Sequence, residues 1–458
     1  MNDVAPRGKT IVLALWDGGG VVPPLLGVAR RLVDGGHTVV VLGDPTVEPE
    51  ATANGCRFTP WTQAPHRTSR HRDSDPVRDY LGKPRQQMRE FNDYFFTSGP
   101  SWTADTLRVI DDEGADLVMA DFMLIWAGVA AEIRGLPFVS LSTFPYAIPS
   151  AGFPPLGAAL VPVPNLLQRP RDRLFGAMSE VVYDRSKKVM NRVRAEHGLP
   201  ALRHSLDQVR SADAIIVLTS RSFDFPDHSA PDNVSWSGPI LDDPAWALAD
   251  FDAPWPDDDD RPLVVVAMSS TFQDQAATLR NIVQALSELP VKAVVSLGPA
   301  LGTDEVPGAD NVVVVDSIPH AQLIPQASVL ITHAGHGTAI KGLTAGVPMV
   351  CIPMGRDQGD NTARIVAAGC GTKLKRTANA PKIKGAVEAV LRDPAYRDAA
   401  HRLARSIAAG TGDTDPVTTI QDVLARTERQ RHLRDAPTSG AVRSNPQPDC
   451  RGEPMNSP

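Results

Sequence analysis

The fold is most clearly encoded in the segment Val329-Leu-Ile-Thr-His-Ala-Gly-His-Gly-Thr-Ala-Ile-Lys-Gly-Leu-Thr-Ala-Gly-Val-Pro-Met-Val-Cys-Ile-Pro-Met-Gly-Arg-Asp-Gln-Gly-Asp-Asn361. Residues 329–332 are apolar and partly β-branched, which is typical of a buried parallel strand. A glycine-rich turn leads into a predicted helix over residues 338–345, which Gly346 and Pro348 end. A second predicted strand covers residues 349–353. This order of strand, helix and strand indicates a parallel α/β sheet.

The turn between the first strand and the helix favours an anionic ligand. Its residues, 333–338, are mostly small, so backbone amides can approach a ligand without a Cβ in the way. The helix N-terminus adds unpaired N–H groups and the positive end of the helix dipole, which together suit a phosphate. Asp357 and Gln358 follow the second strand at the same edge of the sheet, where open parallel sheets bind ligands. Their side chains suit sugar hydroxyls.

This stretch resembles the donor-binding signature of GT-B glycosyltransferases that use nucleotide-activated sugars, the UDP-glucuronosyl- and UDP-glucosyltransferase-like family, in its bacterial natural-product type. The resemblance implies that the turn holds the pyrophosphate of a nucleotide sugar and that the Asp-Gln pair holds the sugar. For both histidines of the turn, the alternative is a structural role as buried turn residues. The donor-binding residues predicted here are His333, Gly335, His336, Gly337, Thr338, Asp357 and Gln358.

Length and composition set the broad class. A chain of 458 residues suggests two domains, and 42% apolar with 22% charged residues is typical of a globular protein. The net charge of −7 and the absence of a basic block argue against a nucleic-acid partner. No signal peptide or membrane span is predicted, since the apolar residues 117–131 include Asp121 and end at Glu132. We therefore expect a soluble cytoplasmic protein.

The four cysteines agree with that expectation. They are widely separated and form no C-x-x-C pair, so we interpret them as reduced thiols. They are Cys56, Cys351, Cys370 and Cys450.

The first forty residues predict a βαβ unit. A buried-type strand over residues 10–16 leads through Asp17-Gly-Gly-Gly20 to an amphipathic helix and a second strand over residues 38–42. The family often has Gly-His-x-x-Pro at this turn, whereas this chain has Gly20-Val21-Val22-Pro23-Pro24. Val21 therefore stands where the resemblance places the catalytic histidine. His37 precedes the second strand at the opposite end of the sheet, and we expect a structural role for it.

Two carboxylates are candidates for the catalytic base. Asp121 ends a predicted strand, and the resemblance implies that an Asp at this place orients the catalytic histidine. The alternative for Asp121 is to cap the helix that follows. Asp17 ends the first strand and should point to the same crevice. Because a carboxylate is a more credible base for phenols than for aliphatic alcohols, both candidates favour a phenol or an aromatic carbon as acceptor.

Residues 48–116 are less regular and rich in aromatics, which either line a pocket for a planar acceptor or fill the core. Residues 69–79 alternate in charge and predict a mobile loop. Residues 144–165 contain six prolines and predict a rigid loop over the acceptor site. The segment at residues 174–197 has the periodicity of a helix. The aromatics include Phe58, Trp61, Phe91, Tyr94, Phe95, Phe96 and Trp102.

The second half begins after a proline- and aspartate-rich linker. Ser270 and Thr271 follow its first strand, where the resemblance places the donor phosphates, and capping the next helix is their alternative. Family members often carry a Trp at the position of Ser317 to stack on the base, and backbone groups at Ile318 are the remaining candidates for base contacts. The predicted divisions are residues 1–240 for acceptor binding, 241–261 as linker, 262–432 for nucleotide-sugar binding and 433–458 as a disordered tail.

The sequence thus predicts a GT-B fold, with two doubly wound, Rossmann-like parallel-sheet domains facing a crevice. The predicted function is an inverting hexosyltransferase that moves a sugar from a UDP- or dTDP-sugar to a small aromatic or polyketide-like acceptor. No cofactor is expected, and no carboxylate cluster suggests a metal. Two alternatives stay open, a nucleotide-sugar-binding partner protein that has lost transfer and a nucleotide-sugar epimerase.

Overall fold

The computed structural model describes residues 8–77, 84–150, 153–162, 168–225, 230–242, 251, 254–256, 258–269, 271–298 and 301–435. These residues form two α/β domains, each built on one parallel sheet. The predicted fold class is therefore confirmed. No helix among these residues has both the length and the apolar character that crossing a membrane requires.

The N-terminal sheet has seven strands in the order β3-β2-β1-β4-β5-β6-β7, all parallel. Apolar runs such as Ile11 to Ala14 are fully buried, because helices cover both faces of the sheet. The order reverses between β1 and β4, and ligands bind at such a switch point. The strands are β1 (Thr10–Ala14), β2 (Thr38–Gly43), β3 (Arg57–Pro60), β4 (Leu117–Asp121), β5 (Phe138–Ser142), β6 (Ala214–Val217) and β7 (Val234–Trp236).

The C-terminal sheet has six parallel strands in the order β10-β9-β8-β11-β12-β13. Its switch point lies between β8 and β11, where Val329 pairs with Val264. The turn after β11 therefore opens where a ligand is expected. The strands are β8 (Leu263–Ala267), β9 (Lys292–Ser296), β10 (Val312–Val315), β11 (Val329–Thr332), β12 (Met349–Cys351) and β13 (Gly371–Lys373).

Helices cover both sheets. Those of the first domain are α1 (Val22–Asp34), α2 (Glu48–Ala53), α3 (Pro84–Asn92), α4 (Gly99–Glu113), α5 (Ile125–Ile133), α6 (Gln168–Tyr183), α7 (Lys187–Glu196) and α8 (Asp207–Arg210). Those that follow are α9 (Ala276–Ser287), α10 (His320–Leu323), α11 (His336–Thr344), α12 (Gln358–Ala367), α13 (Ala380–Arg392), α14 (Pro394–Ala408) and α15 (Pro416–Asp435).

The helix predicted over residues 174–197 is wrong as a single element, because the structure has α6 and α7 with a turn between them. Asp184 accepts a hydrogen bond from the backbone N–H of Ser205 at 2.9 Å, and the Ser186 hydroxyl donates to the carbonyl of Tyr183 at 2.8 Å. Side chains of this kind offer the backbone an alternative to continuing a helix. Residues 48–116 are also more regular than expected, since they contain α2, β3, α3 and α4.

The last helix, α15, returns to the first domain. Its buried residues Ile420, Val423 and Leu424 pack in the same cluster as Leu25 and Leu218. The sequence assigned this helix to the C-terminal domain, because an apolar face shows that a helix is buried and not against which sheet. The predicted linker, 241–261, is described only at 241–242, 251, 254–256 and 258–261, and residues 436–458 of the predicted tail lie outside the described residues.

Candidate active site

A cavity of about 810 Å³ lies between the two domains, at the carboxyl ends of both sheets. The first domain contributes the turn after β1 and an apolar wall. The second contributes the turns after β8, β11 and β12. Of the residues predicted from sequence, those that line the cavity are Asp17, Thr271, His333, Gly335, His336, Gly337, Thr338, Asp357 and Gln358.

Two of the predicted site residues that the structure describes are not on the cavity wall. Asp121 and Ile318 are each 1% exposed and do not line the cavity. Ser270 lies outside the described residues. Thr271 does line the cavity, and its backbone N–H donates to the Ser269 hydroxyl at 3.2 Å. Because α9 begins at Ala276, the alternative role of Thr271 as the cap of this helix is not observed.

The turn after β11 is held open by its own side chains. The Thr332 hydroxyl accepts a hydrogen bond from the backbone N–H of Ala334 at 3.1 Å. A Cβ on Gly335 would lie 2.4 Å from Nε2 of His333, so only glycine leaves room for the imidazole here. The first residue of α11, His336, donates its backbone N–H to Oδ2 of Asp357 at 3.2 Å. This bond joins the two turns that carry the predicted donor residues.

His333 is neutral at pH 7 in this setting. Burial lowers its pKa to about 4, because a charged imidazole is poorly solvated there. Its Nδ1 has no hydrogen-bond partner in the structure. A buried polar atom without a partner on a cavity wall is suited to a ligand. Burial also lowers the pKa of His336 to about 4, and its Nδ1 lies 3.3 Å from Oδ1 of Asn361.

The Asp-Gln pair is fixed by contacts within the second domain. Oδ2 of Asp357 accepts from the Asn361 amide at 2.7 Å, and burial raises the pKa of Asp357. Oε1 of Gln358 accepts from the backbone N–H groups of Met354 and Gly355 at 2.6 and 3.0 Å. Its Nε2 donates to Oε1 of Gln273 at 2.9 Å. An amide has two N–H groups, so one remains for a ligand.

The acceptor side begins at the glycine turn after β1. Val21 is the residue before α1 and lines the cavity, so an apolar side chain stands where the resemblance places a histidine. A Cβ on Gly337 would lie 3.9 Å from the carbonyl oxygen of Gly20. The turn after β1 and the turn after β11 therefore face each other across the crevice.

Asp17 is a cavity carboxylate that is paired with a cation. Its Oδ2 accepts from Nε of Arg70 at 3.0 Å and from the Thr46 hydroxyl at 2.7 Å, and its Oδ1 accepts from the backbone of Gly19. Burial alone would raise the pKa of Asp17, but the charge of Arg70 and these bonds outweigh it and lower the pKa. Asp17 is thus ionised and a weak base.

Asp121 is enclosed behind Trp16. Its Oδ1 accepts hydrogen bonds from the indole Nε1 of Trp16 at 3.2 Å and from the backbone N–H of Met123 at 2.9 Å. The second bond closes a local turn, and the alternative stated for Asp121, capping the helix that follows, is not observed, because no side chain caps α5. Burial raises the pKa of Asp121 to about 6. Asp121 itself does not line the cavity, whereas its two hydrogen-bond partners, Trp16 and Met123, do.

The segment predicted as a mobile loop, residues 69–79, is in part a structured wall, and that prediction is wrong for Arg70. Its guanidinium donates to both carboxylate oxygens of Glu50 at 2.8 and 3.0 Å as well as to Asp17. Just before the segment, Arg67 is 3% exposed and lies 3.9 Å from Asp75. Alternating charges in a segment indicate a solvated loop only if those side chains do not form ion pairs with residues elsewhere in the chain. Residues 78–83 lie outside the described residues.

The aromatic residues divide between core and cavity. Phe91 and Phe95 line the cavity, together with Trp16, Phe144 and Phe175. Other aromatics fill the core beneath them, so both alternatives stated for this cluster occur in the structure. The core members are Trp61, Tyr94, Phe96 and Trp102.

The proline-rich loop lines the cavity, and the second domain holds it in place. Pro155 and Leu156 line the cavity. The carboxylate of Asp360 on α12 accepts from the backbone N–H groups of Gly157 and Ala159, both at 2.7 Å. The sequence alone does not identify Asp360, Glu50, Arg67 or Arg70 as site residues, because only long-range contacts reveal their roles.

One group of side chains has the spacing of metal ligands, Glu180, Asp184 and His204. Arg210 and Lys187 form ion pairs with its two carboxylates. Nδ1 of His204 lies 2.9 Å from Oδ2 of Asp184. The group is therefore already balanced by cations, and it does not line the cavity.

Comparison with known proteins identifies the chain's relatives. Residues 280–423 match the family model of the erythromycin biosynthesis protein CIII-like C-terminal domain. The chain is 28% identical over 438 residues to 4'-demethylrebeccamycin synthase of Lentzea aerocolonigenes, which covers 91% of this chain and 100% of that protein.

Two solved structures share the fold. The glycotransferase of kitacinnamycin matches with a TM-score of 0.70 at 22% identity, covering 92% of this chain and 100% of its own. Glycosyltransferase VinC, in complex with dTDP, matches with a TM-score of 0.62 at 15% identity, covering 92% and 100%. The chain therefore has the GT-B fold, its residues 280–423 resemble the erythromycin biosynthesis protein CIII-like C-terminal domain, and its homologues are glycosyltransferases of natural-product biosynthesis.

Proposed function

We propose that this glycosyltransferase moves a hexose from a UDP- or dTDP-sugar to a phenolic hydroxyl of a small aromatic or polyketide-like acceptor, with inversion at the anomeric carbon. The observation that carries the proposal is the single cavity of about 810 Å³ that joins the turn at His333 to the aromatic wall. A donor and an acceptor bound in one water-poor cavity can react directly.

The donor half supports binding of a nucleoside diphosphate. The unpaired Nδ1 of His333, the N-terminus of α11 and the hydroxyl of Thr338 converge on one turn. Groups of this kind stabilise the negative charge that develops on a leaving diphosphate. VinC, which shares the fold, was solved in complex with dTDP. In this proposal protein groups balance the phosphate charge and no metal ion or cofactor takes part.

The acceptor half supports an acidic hydroxyl. Val21 cannot take a proton, and Asp121 is behind the indole of Trp16, so Asp17 is the carboxylate we assign as base. Its lowered pKa makes it too weak to deprotonate an aliphatic alcohol, whereas a phenol has an ordinary pKa of about 10. The phenolic oxygen bonds to the anomeric carbon, the bond from that carbon to the diphosphate breaks, and Asp17 takes the proton.

The comparisons do not favour the two alternatives, a partner protein without transfer and a nucleotide-sugar epimerase, because 4'-demethylrebeccamycin synthase aligns over its whole length. We place the reaction in the cytoplasm. Cys56, Cys351 and Cys370 are buried free thiols, as expected where thiols stay reduced.

A donor and acceptor panel tests the proposal. The protein would be incubated with UDP- and dTDP-hexoses, each with a phenol or the matching saturated alcohol, and glycosides would be detected by mass spectrometry. We expect glycosides of phenols and a large loss of turnover in Asp17→Asn, with nucleotide binding retained. Nucleotide binding without any glycoside from any pair would reject transfer, and unchanged turnover in Asp17→Asn would reject the base.

A further inference from the structure

The indole of Trp16 forms a wall of the acceptor half of the cavity. Trp16 lies between β1 and Asp17 and is 8% exposed. The ring of Phe95 meets it edge-on, with centroids 5.0 Å apart at 85°, and the ring of Tyr94 is tilted against it at 6.0 Å. The indole is therefore packed on its protein side and faces the cavity on the other.

The glycine turn leaves room for this ring. A Cβ on Gly18 would lie 2.6 Å from Cη2 and 2.7 Å from Cζ2 of Trp16. Contacts that short force the indole to move, so any side chain at this position would displace it. Gly18 therefore allows the indole of Trp16 to occupy its place on the cavity wall, in addition to forming part of the turn.

Asp121 fixes the direction of the indole. Trp16 donates its Nε1–H to Oδ1 of Asp121 at 3.2 Å, and both side chains are buried. The same oxygen is held by the backbone N–H of Met123, so the carboxylate cannot rotate freely. A buried indole normally needs a partner for its N–H, and here Asp121, which does not line the cavity, supplies it. The apolar ring is what remains for a ligand.

We propose that Trp16 determines a preference for planar aromatic acceptors, and that Asp121 is a positioning residue that holds the indole in place. This inference rests on the proposed function, since it concerns the acceptor half of the same cavity. Aromatic pairs gain stabilisation beyond the area they bury, which corresponds to up to about tenfold in binding. A saturated ring of the same size lacks that gain.

The test compares 2-naphthol with its saturated counterpart, decahydro-2-naphthol, by direct calorimetric binding in the presence of dTDP. We expect wild type to prefer 2-naphthol, Trp16→Leu to reduce that preference about tenfold, and Trp16→Phe to keep most of it. Asp121→Leu should reduce the preference, while Asp121→Asn should retain it, because the amide oxygen can still accept from the indole. Binding of dTDP alone is the control for correct folding in every variant.

Two results would overturn the inference. One is equal preference in wild type and Trp16→Leu. The other is an Asp121→Asn variant that keeps the binding preference and acceptor KM but loses kcat, since Asp121 would then act on the reacting atoms. The binding comparison of wild type with Trp16→Leu requires no turnover. If the protein transfers no sugar, the proposed function is refuted, but this binding comparison still tests the role of Trp16.

Discussion

The contact between Asp360 and the proline-rich loop, residues 144–165, allows a quantitative prediction. The carboxylate is 5% exposed and accepts two backbone N–H bonds of 2.7 Å from Gly157 and Ala159. Both donors have positive φ angles, 83° and 49°, and a non-glycine residue rarely adopts this conformation. The loop is thus held in a conformation that Ala159 does not favour by itself, and Asp360 supplies the compensating bonds.

Replacing Asp360 by Asn removes one of these two hydrogen bonds. The amide keeps one oxygen to accept one backbone N–H, but its NH₂ group would face the other backbone N–H and cannot accept from it. A hydrogen bond to a charged group contributes about 1.5–3 kcal/mol. That free energy corresponds to a roughly 10- to 100-fold shift towards a displaced loop. Since Pro155 and Leu156 of this loop line the cavity, we expect acceptor KM to rise by up to that factor.

The assay varies the acceptor at a saturating nucleotide-sugar concentration and measures dTDP binding separately by calorimetry. The donor residues Asp357 and Gln358 are unchanged, so we expect nucleotide affinity to stay within about twofold. Asp413→Asn is a matched control, because Oδ1 of Asp413 also accepts a backbone N–H, from Arg221 at 2.6 Å, but is not on the cavity wall. An unchanged acceptor KM, or an equal loss of donor and acceptor binding, would refute the reasoning.

Three further predictions concern the two turns. Thr338→Val should weaken dTDP binding by about tenfold through loss of one hydrogen bond, while Thr338→Ser should not, and calorimetry that shows equal affinities would contradict this. His333 has a pKa of about 4, and a bound diphosphate favours its protonated ring, so the dTDP affinity of wild type relative to His333→Asn should rise as pH falls from 7 to 5, with the variant accounting for titration of the diphosphate itself. Val21→His places a titratable group on the cavity wall, so aliphatic alcohols should gain turnover relative to phenols; an unchanged ratio of kcat/KM would show that this position does not serve as base.

The donor half could be predicted from the sequence because its pattern is local. A buried strand, a turn of small residues and a helix end are all encoded within residues 329–361, and the structure brings His333 and Asp357 to the same cavity as expected. Strand boundaries such as Val329–Thr332 follow directly from the apolar run. The glycine turn at residues 17–20 was found for the same reason.

The acceptor half could not be predicted to the same depth, because its contacts join distant parts of the chain. Arg70 pairs with Asp17 across 53 positions, and Asp360 reaches Gly157 across 203. A charged residue in an irregular segment gives no sign of a buried partner. Asp121 was correctly placed at a strand end, but the sequence could not show that the indole of Trp16 separates it from the cavity.

The central claim is that both halves of the cavity act in one transfer. Its most direct test uses an α-linked dTDP-hexose and a phenol as substrates. The linkage of the product is read from its NMR spectrum, and dTDP release is measured in the same reaction. We expect one dTDP per glycoside, release that requires the phenol, and a β-linked product. A retained α linkage, or dTDP release at the same rate without acceptor, would contradict the account.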